Sequence, residues 1–302
     1  MKKKTYLFAL MTMALTLGSC SDNENGIGGE TSKYITVSTS IGNMTRVATD
    51  EKGGQTFEEG DEISVYAWTG EATVAPETRE RVVNNAINKL TNGSWISNPQ
   101  MLWKNNRDKH YFIGVYPISA SAISDLSAGE YTFDETKQVE SDLLMAVNKD
   151  GLSYNVDEQQ PVPLTFTHVM SKLAVNLTYK NQWGGIPTVE KVVVGNAAKE
   201  ATINYLTKVV TPSTTAKEDF SLPEITENTK YVSVIIPQEE VKQLTIVIGG
   251  KNFVYDNGTP FKLESGKITT INLEVGRDEI KLGDVKISDW EDGSTFNGEA
   301  LN

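Results

Sequence analysis

The chain has 302 residues, 38% of them hydrophobic and 23% charged, and a formal net charge of −12. This length is enough for one or two domains of ordinary size, each with its own hydrophobic core. The negative charge makes nucleic acid and anionic lipid surfaces poor partners. Cys20 is the only cysteine, which excludes an intramolecular disulfide and a metal site built from several thiolates.

Residues 1–19 have the pattern of an export signal. Lysines at positions 2–4 precede an apolar stretch at 6–17, as in a signal peptide. This stretch is shorter than the roughly 20 apolar residues that a membrane-spanning helix needs. The sequence Leu-Gly-Ser-Cys that ends at Cys20 resembles the lipobox of bacterial lipoproteins, which implies cleavage before Cys20 and its attachment to outer-membrane lipid. The alternative is an ordinary secretory signal with a chance cysteine.

Residues 20–33 are predicted to be a lipidated tether. Positions 21–32 are rich in glycine and polar residues and hold one apolar side chain, Ile27, so they cannot bury enough surface to fold. Residues 1–19 contain three lysines and no acidic residue, so their removal leaves a mature chain with a net charge of −15.

From Tyr34 onward the dominant pattern is an alternation of β-branched or aromatic residues with polar ones, broken by Gly, Asn, Asp and Pro. This period of two predicts short strands separated by turns, as in an all-β sandwich. The predicted strands are 35–41, 63–68, 109–115, 173–179, 191–195, 231–236, 244–248, 253–256, 260–263 and 268–275. Gly249-Gly250, Asp256-Asn257-Gly258 and the residues 264–267 are predicted hairpin turns.

One segment departs from this pattern. Within 76–90, Val82, Val83, Ala86, Ile87 and Leu90 fall at helical spacing, which predicts an amphipathic helix. The turn residues Asn92-Gly93-Ser94 that follow favour a β-hairpin equally well, so both interpretations stay open.

A domain boundary is predicted near the Pro161-Val162-Pro163 run, where a polar stretch meets two prolines that favour extended chain. It divides the mature chain into an N-terminal sandwich at 34–160 and a C-terminal sandwich at 161–302. Each part has a size suited to a seven-stranded sandwich.

Patterns for catalysis or metal binding are scarce. The two histidines, His110 and His168, lie at or beside predicted strands, where a histidine is usually packed or hydrogen-bonded. The acidic residues within 58–62 could bind calcium or act as paired acids, but a solvated turn before a strand is the favoured interpretation. We therefore expect a protein that is not an enzyme and has neither a metal nor a cofactor.

Several short motifs follow one another along the chain. They are TRVA at 45–48, FEEGDEISVYA at 57–67, Trp103 with YFIGVYP at 111–117, SDLLMA at 141–146, LTFTHVMSKL at 164–173, and the closing segments 266–273 and ISDWEDG at 287–293. Together they resemble the fimbrillin family, the lipoprotein subunits of type V pili and their accessory proteins.

The resemblance implies two tandem transthyretin-like β-sandwiches and assembly by strand exchange. In members that polymerise, an arginine-specific protease cuts behind the first strand, and the terminal strand of a neighbouring subunit fills the groove. Arg46, followed by Val47, stands at the matching place; the alternative is an exposed loop arginine without a role. The residues expected to exchange are Ile35, Val37 and Ile41 in the first strand and Ile280, Leu282, Val285 and Ile287 near the C-terminus.

The resulting hypothesis is a structural subunit, anchor or tip component of a bacterial surface fimbria, with other fimbrial subunits as partners. It would be lipid-anchored in the outer membrane through Cys20, or would end up in the fimbrium. The alternative is a monomeric surface lipoprotein that binds glycan or host protein through Trp68, Trp95 and Trp183. Trp290 is interpreted as a core residue that closes the second sandwich.

Overall fold

The computed structural model describes residues 33–42, 56–118, 121–155 and 160–290. Cys20, Arg46 and Val47 lie outside these residues, so what the sequence predicts for them stays a prediction. The described part consists of β-strands, loops and one short 3₁₀ turn, Thr78–Glu80, which confirms the predicted all-β fold class. No helix in this part has the length and hydropathy needed to span a membrane.

The strands in chain order are β1 (Val37–Ile41), β2 (Glu62–Thr69), β3 (Val83–Thr91), β4 (Ser94–Asn98), β5 (His110–Tyr116), β6 (Gly129–Thr132), β7 (Leu144–Leu152), β8 (Val162–His168), β9 (Ser171–Tyr179), β10 (Val189–Ala198), β11 (Glu200–Asn204), β12 (Val209–Pro212), β13 (Lys217–Leu222), β14 (Glu224–Thr226), β15 (Lys230–Ile235), β16 (Gln243–Ile248), β17 (Lys251–Asp256), β18 (Lys267–Val275) and β19 (Ile280–Asp289).

These strands form four sheets. The largest has seven strands in the order β1-β8-β7-β5-β2-β3-β4, and a five-stranded sheet has the order β14-β15-β9-β18-β19. A four-stranded sheet, β13-β10-β16-β17, and a three-stranded sheet, β12-β11-β6, complete the set. Neighbouring strands are antiparallel except for β1 beside β8 and β18 beside β9.

The segment with two open interpretations is a strand. After the 3₁₀ turn, β3 pairs with β4 in a hairpin whose turn residues Asn92 and Gly93 both have positive φ. The helical spacing was therefore misleading: the cross-strand pairing with β2 and β4 on both sides of β3 outweighs it. Positive φ at two successive turn residues matches the twist of a hairpin.

The predictions for the segments on either side of β17 had different outcomes. Gly249 and Gly250 have positive φ and join β16 to β17, as predicted. The predicted strand at 260–263 is wrong, because only Leu263 makes a bridge, to Gln238. Asp256-Asn257-Gly258 therefore ends β17 without starting a partner strand.

The two faces of the seven-stranded sheet enter different cores. On β2, Ile63 and Val65 point into a smaller core that lies within this sheet, whereas Tyr66 and Trp68 point into a larger core. The larger core continues between the four-stranded and five-stranded sheets. The alternation of side chains along a strand explains this division, since successive residues face opposite sides.

The predicted boundary at 160/161 does not coincide with the edge of a sheet. β8 begins at Val162 and lies within the seven-stranded sheet, between β1 and β7. Its inward residues Val162, Leu164 and Phe166 belong to the smaller core. In addition, β6 from the first half pairs with β11 from the second half. The division of the chain into two domains remains a prediction.

The segment around β6 attaches the first half of the chain to the second. Gln138 accepts a hydrogen bond from the Val234 N–H at 2.7 Å. The Ser221 N–H donates to Glu135 at 2.7 Å, and Phe133 packs edge-on against Phe220 with ring centroids 4.9 Å apart. The described residues from both halves therefore belong to one compact unit.

Candidate functional site

The first candidate element is β1, an outer strand of the seven-stranded sheet. It runs parallel to β8, with Val37 opposite Val162 and Ile41 opposite Phe166. Ile35 and Val37 are 1% and 6% exposed, and Ile41 is half-buried. The predicted alternation is present, and the inward side chains fill part of the smaller core.

The outer edge of this segment is closed at its start and open further on. The Ile35 N–H donates to the Met101 carbonyl at 3.0 Å, and the Trp103 N–H donates to the Lys33 carbonyl at 3.0 Å. Along β1 itself, β8 is the only strand partner among the described residues. An open strand edge with unpaired N–H and C=O groups is a template for pairing with another chain.

A groove lies between β1 and β4, the two outer strands of the seven-stranded sheet. Its volume is about 770 Å³, and no charged residue is among the described residues that line it. The Trp95 indole N–H donates to the Thr39 hydroxyl at 3.0 Å. This bond joins the two outer strands, so the sheet curls until its edges face each other.

Phe57 is the centre of an aromatic cluster beneath this groove. Its ring makes edge contacts with Trp95 at 5.3 Å, Tyr116 at 5.4 Å and Phe166 at 5.1 Å between centroids. The Tyr116 hydroxyl donates to Asp61 at 3.4 Å. Burial, followed by the charge of Asp61, raises the pKa of Tyr116 to about 12, so this phenol stays neutral at physiological pH.

The acidic run at 58–62 forms the predicted turn. The Glu58 N–H donates to the Asp61 carboxylate at 2.7 Å, and Glu59 accepts from the Asn92 N–H at 2.8 Å. These carboxylates thus bond to the backbone of the turn and of the β3–β4 hairpin. Within the described residues there is no group of three or more His, Cys, Asp or Glu side chains placed to hold a metal.

The second candidate element is β19, an outer strand of the five-stranded sheet. It is antiparallel to β18, and the register shifts between Ile271 and Leu273. Ile280 and Leu282 are half-buried, and Val285 and Ile287 are about 40% exposed. All four candidate residues are therefore on an outer strand, but they bury less surface than Ile35 and Val37.

Trp290 follows β19 directly and is 3% exposed in the larger core, which confirms its interpretation as a core residue. Its indole is stacked on the imidazole of His168, with centroids 4.0 Å apart and planes inclined by 4°. The Lys172 Nζ lies over the same indole, 4.4 Å from its centroid. His168 Nδ1 is 2.8 Å from an Asp142 carboxylate oxygen.

His110 is also packed, as predicted. It is fully buried, its Nε2 accepts from the Lys104 N–H at 3.1 Å, and its Nδ1 lies 3.1 Å from the Asp108 carbonyl. Its ring meets that of Trp103 edge-on at 4.9 Å. Burial lowers the pKa of His110, partly offset by its bond to the Asp108 carbonyl, so the neutral ring is favoured.

The three tryptophans predicted as ligand-binding aromatics have different environments. Trp68 is 2% exposed in the larger core, so its interpretation as a surface aromatic is wrong. Trp95 is half-buried on β4, and Trp183 is half-buried in a loop where its indole N–H donates to the Val275 carbonyl at 3.0 Å. Apart from Ser64, the residues at 63–68 are apolar or aromatic on both faces. This pattern is typical of a strand buried on both sides, and it was the signal that could have revealed the burial of Trp68.

Sequence reasoning missed the residues that surround the candidate strands. Phe57 and the segment 101–103 have no repeating apolar pattern, and their contacts with Phe166 and Ile35 are made across long stretches of chain. Such contacts depend on the curl of the sheet. Phe57 and Trp103 stand in the family motifs, but the motifs do not show which residues they contact.

A family model described as fimbrillin-like matches residues 45–290. Because this is most of the chain, the protein belongs to the fimbrillin-like family, as its motifs predicted. This membership supports a fimbrial subunit or accessory component that associates with other fimbrial subunits in a cell-surface fimbrium. No curated protein matches the chain by sequence.

Solved structures share the fold. A candidate cell adhesion protein from Bacteroides uniformis aligns with a TM-score of 0.64 at 19% identity, over 86% of this chain and 100% of that one. A fimbrial protein from Bacteroides vulgatus gives 0.54 at 11%, over 86% and 100%. The C-terminally truncated tip fimbrial protein Mfa3 from Porphyromonas gingivalis gives 0.50 at 11%, over 77% and 95%. At these identities the likeness concerns the fold alone.

Proposed function

We propose that the protein is a fimbrial component delivered to the cell surface as a lipoprotein on Cys20 and assembled by strand exchange at β1. The supporting observation is the place of β1: it is an outer strand whose inward side chains are buried, and the chain leaves its end at Gly42 towards the segment 43–55 that contains Arg46. Cleavage between Arg46 and Val47 would separate this strand from the body of the protein.

Loss of β1 would expose the face that it covers. The outer edge of β8 would lose its partner, and the smaller core would open at Val162, Leu164 and Phe166. An apolar trench beside an unpaired strand edge favours addition of a strand from another chain. The strand that fills it would place β-branched or aliphatic side chains where Ile35 and Val37 lie.

The donor in this proposal is the C-terminal strand β19 of another subunit. Its residues Ile280, Leu282, Val285 and Ile287 supply aliphatic side chains on a strand that has one partner among the described residues. The alternation is interrupted at Gly283 and Asp284, where β19 has one residue more than β18 between two paired positions, as in a β-bulge. A donor needs such a strand to be at the edge, because an inner strand would have to break two ladders.

The fate of the bond after Arg46 decides the role of the lipid. If it is cut, residues 20–46 leave with the lipid, and the lipid keeps the subunit at the membrane only until assembly. If it stays intact, Cys20 anchors the subunit permanently, which suits an anchor component; one acyl chain binds membranes marginally, and two or more bind stably.

An arginine-specific protease tests the proposal. We expect the treated protein to lose residues up to Arg46 and to form filaments in electron micrographs, and the Arg46→Ala variant to form none. Arg79→Ala is a matched control, since Arg79 has an 80% exposed side chain in the 3₁₀ turn and offers the protease another site. Filaments from Arg46→Ala, or none from the cleaved parent mixed with uncleaved protein, would contradict strand exchange at β1.

The second candidate function is a monomeric surface protein that binds glycan. It is supported by the uncharged groove between β1 and β4, which includes Trp95 and several hydroxyl side chains. A glycan array probed with the uncleaved protein and with Trp95→Phe tests it. Binding that is lost in the variant would favour this function, and absence of binding by the parent would reject it.

A further inference from the structure

β19 is held to its sheet by a backbone ladder with β18 and by few deeply buried side chains. Within the segment 280–290, Trp290 is the only buried residue, whereas the residues of β19 are half-buried or exposed. The strand pairs with β18 on one side. Ile280 and Leu282, in the first part of the strand, pack partly against the larger core. At the C-terminal end of the strand, deep burial is therefore concentrated in one indole, just beyond the last strand residue.

The environment of that indole is built from three other elements. His168 lies at the end of β8 and Lys172 near the start of β9. The backbone N–H of Trp290 donates to the Gly266 carbonyl at 3.2 Å, in the turn before β18, whereas its buried indole N–H has no hydrogen-bond partner among the described residues. The stacked imidazole of His168 and the ammonium of Lys172 both contact the ring. Asp142 holds His168 by its 2.8 Å contact, so the imidazole that receives the indole is itself fixed.

The ring partners are buried as deeply as the indole. The His168 side chain is 4% exposed, and Lys172 is 3% exposed. A stacked aromatic pair and a cation over an indole are stabilised more strongly when they are removed from water. The ion pair between Lys267 and Asp289, at the end of β19, is in contrast exposed and contributes little.

We propose that Trp290 is the anchor that keeps β19 on its own sheet, and that withdrawal of its indole from His168 and Lys172 is the step that frees β19 for a neighbouring subunit. The second half of this inference rests on the proposed function, in which β19 is the donor strand; the first half does not. The anchor makes donation conditional: a subunit with the indole in place keeps its C-terminal strand, and a contact that displaces the indole releases it.

Hydrogen exchange of the uncleaved, monomeric full chain tests the anchor without any assembly. In Trp290→Ala we expect amide exchange in 280–289 to accelerate at least tenfold, while β10 and β16 in the four-stranded sheet keep the exchange of the parent. Ile287→Ala is the matched control, because it removes a side chain that is 40% exposed on the same strand. We expect its exchange to stay within twofold of the parent.

Equal exchange of β19 in Trp290→Ala and in the parent would overturn the anchor. Faster exchange throughout the protein would mean that the substitution unfolds the larger core. The variant Trp290→Phe then distinguishes local release of β19 from global unfolding. Phenylalanine keeps an apolar ring at the site, so the anchor predicts an intermediate acceleration confined to 280–289. Acceleration shared by all strands in Trp290→Phe would also overturn it.

Assembly separates the anchor from the proposed function. After arginine-specific cleavage, Trp290→Ala should form filaments at least severalfold faster than the parent, because its β19 is already free. Faster exchange without any filaments from either protein would leave the anchor in place and reject strand donation. Faster exchange with an unchanged rate of assembly would reject the claim that indole withdrawal is the controlling step.

Discussion

β1 and β19 are both outer strands, but they are held in different ways. β1 and the residues that lead into it place Val37 and Ile35 in the smaller core with 6% and 1% exposure, and this leading segment is also paired with the segment 101–103. β19 leaves Val285 and Ile287 about 40% exposed and depends on Trp290 beyond its end. Both strands are hydrogen-bonded to one neighbouring strand, but the N-terminal segment places two deeply buried side chains in a core, whereas the deep burial near β19 is confined to Trp290.

This difference bears on which strand a subunit can donate to another subunit. Burial of an aliphatic side chain stabilises by roughly 1.5–3 kcal/mol, so loss of β1 leaves a defect that another strand must repair. Release of β19 exposes much less surface along the strand itself. A subunit built this way would accept a strand where it loses β1 and would offer a strand where it releases β19, which is the polarity that a linear polymer needs.

A buried charge in β1 should have the largest effect. Val37→Asp would place an unpaired carboxylate in the smaller core, so we expect a loss of at least about 3 kcal/mol of unfolding free energy. Val285→Asp puts the same group on β19 at 41% exposure and should cost about 0.5 kcal/mol or less. Urea denaturation of both variants measures the contrast, and equal losses would remove the distinction between the strands.

Acidification should weaken the closed part of the β1 edge. Burial depresses the pKa of His110, so the unfolded chain binds a proton at a higher pH than the folded one. The stabilisation is complete above the unfolded pKa of about 6.5 and is lost as the pH falls below it, by up to about 1.4 kcal/mol for each unit of pKa difference.

The variant His110→Gln is the control for this pH dependence. Its amide oxygen can accept the Lys104 N–H in place of Nε2 without gaining a proton, while His168 is retained in both proteins. We expect a shallower loss of melting temperature between pH 7.5 and 5.5 in the variant than in the parent. Parallel pH profiles would show that His110 does not contribute.

The bond between Trp95 and Thr39 should have a moderate effect. Thr39→Val removes the hydroxyl that accepts the indole N–H at 3.0 Å, and we expect a loss of about 1 kcal/mol because the half-buried donor is left unpaired. Ser38→Ala, at an exposed neighbouring position, is the control and should leave the midpoint of urea denaturation unchanged. No difference between the two variants would mean that this bond does not fasten β1 to β4.

The ion pair at the end of β19 should have the smallest effect. Lys267 and Asp289 have side chains that are 37% and 54% exposed, and such pairs contribute about 0–1 kcal/mol. Lys267→Gln should therefore shift the melting temperature by no more than about a degree. It should leave the rate of amide hydrogen exchange in β19 unchanged. A large acceleration of exchange in this variant would assign the anchoring of β19 to the ion pair instead of Trp290.

Local pattern predicted the strands well where one face is buried. The alternation in 35–41, 63–68 and 268–275 corresponds to β1, β2 and β18, because side chains on a strand face opposite sides in turn. At 76–90 it left a helix and a β-hairpin open, and the structure has the hairpin of β3 and β4; at 260–263 the predicted strand is wrong, since this segment makes a single bridge. Strand pairing decided both places: β3 pairs with β2 and β4, whereas 260–263 has no partner beyond the bridge between Leu263 and Gln238.

The candidate site was predicted in part. Val37 and the residues of 280–287 were identified from alternation and from the family resemblance, and they lie on outer strands, with Ile35 just before β1. Their neighbours Phe57, Met101 and Lys172 were not identified as such, because each contacts the candidate segments across many intervening residues. Trp68 shows the opposite error, since an aromatic residue taken for a surface group lies in the larger core.

The sequence by itself determined the all-β class, the family, and the strands that alternate, because each depends on residues close together in the chain. Only the tertiary structure decided that β8 belongs to the seven-stranded sheet, that β1 and β4 face each other across an uncharged groove, and that Trp290 is stacked on His168. These features arise from the curl of a sheet and the packing of strands far apart in sequence, which no local spacing of residues encodes.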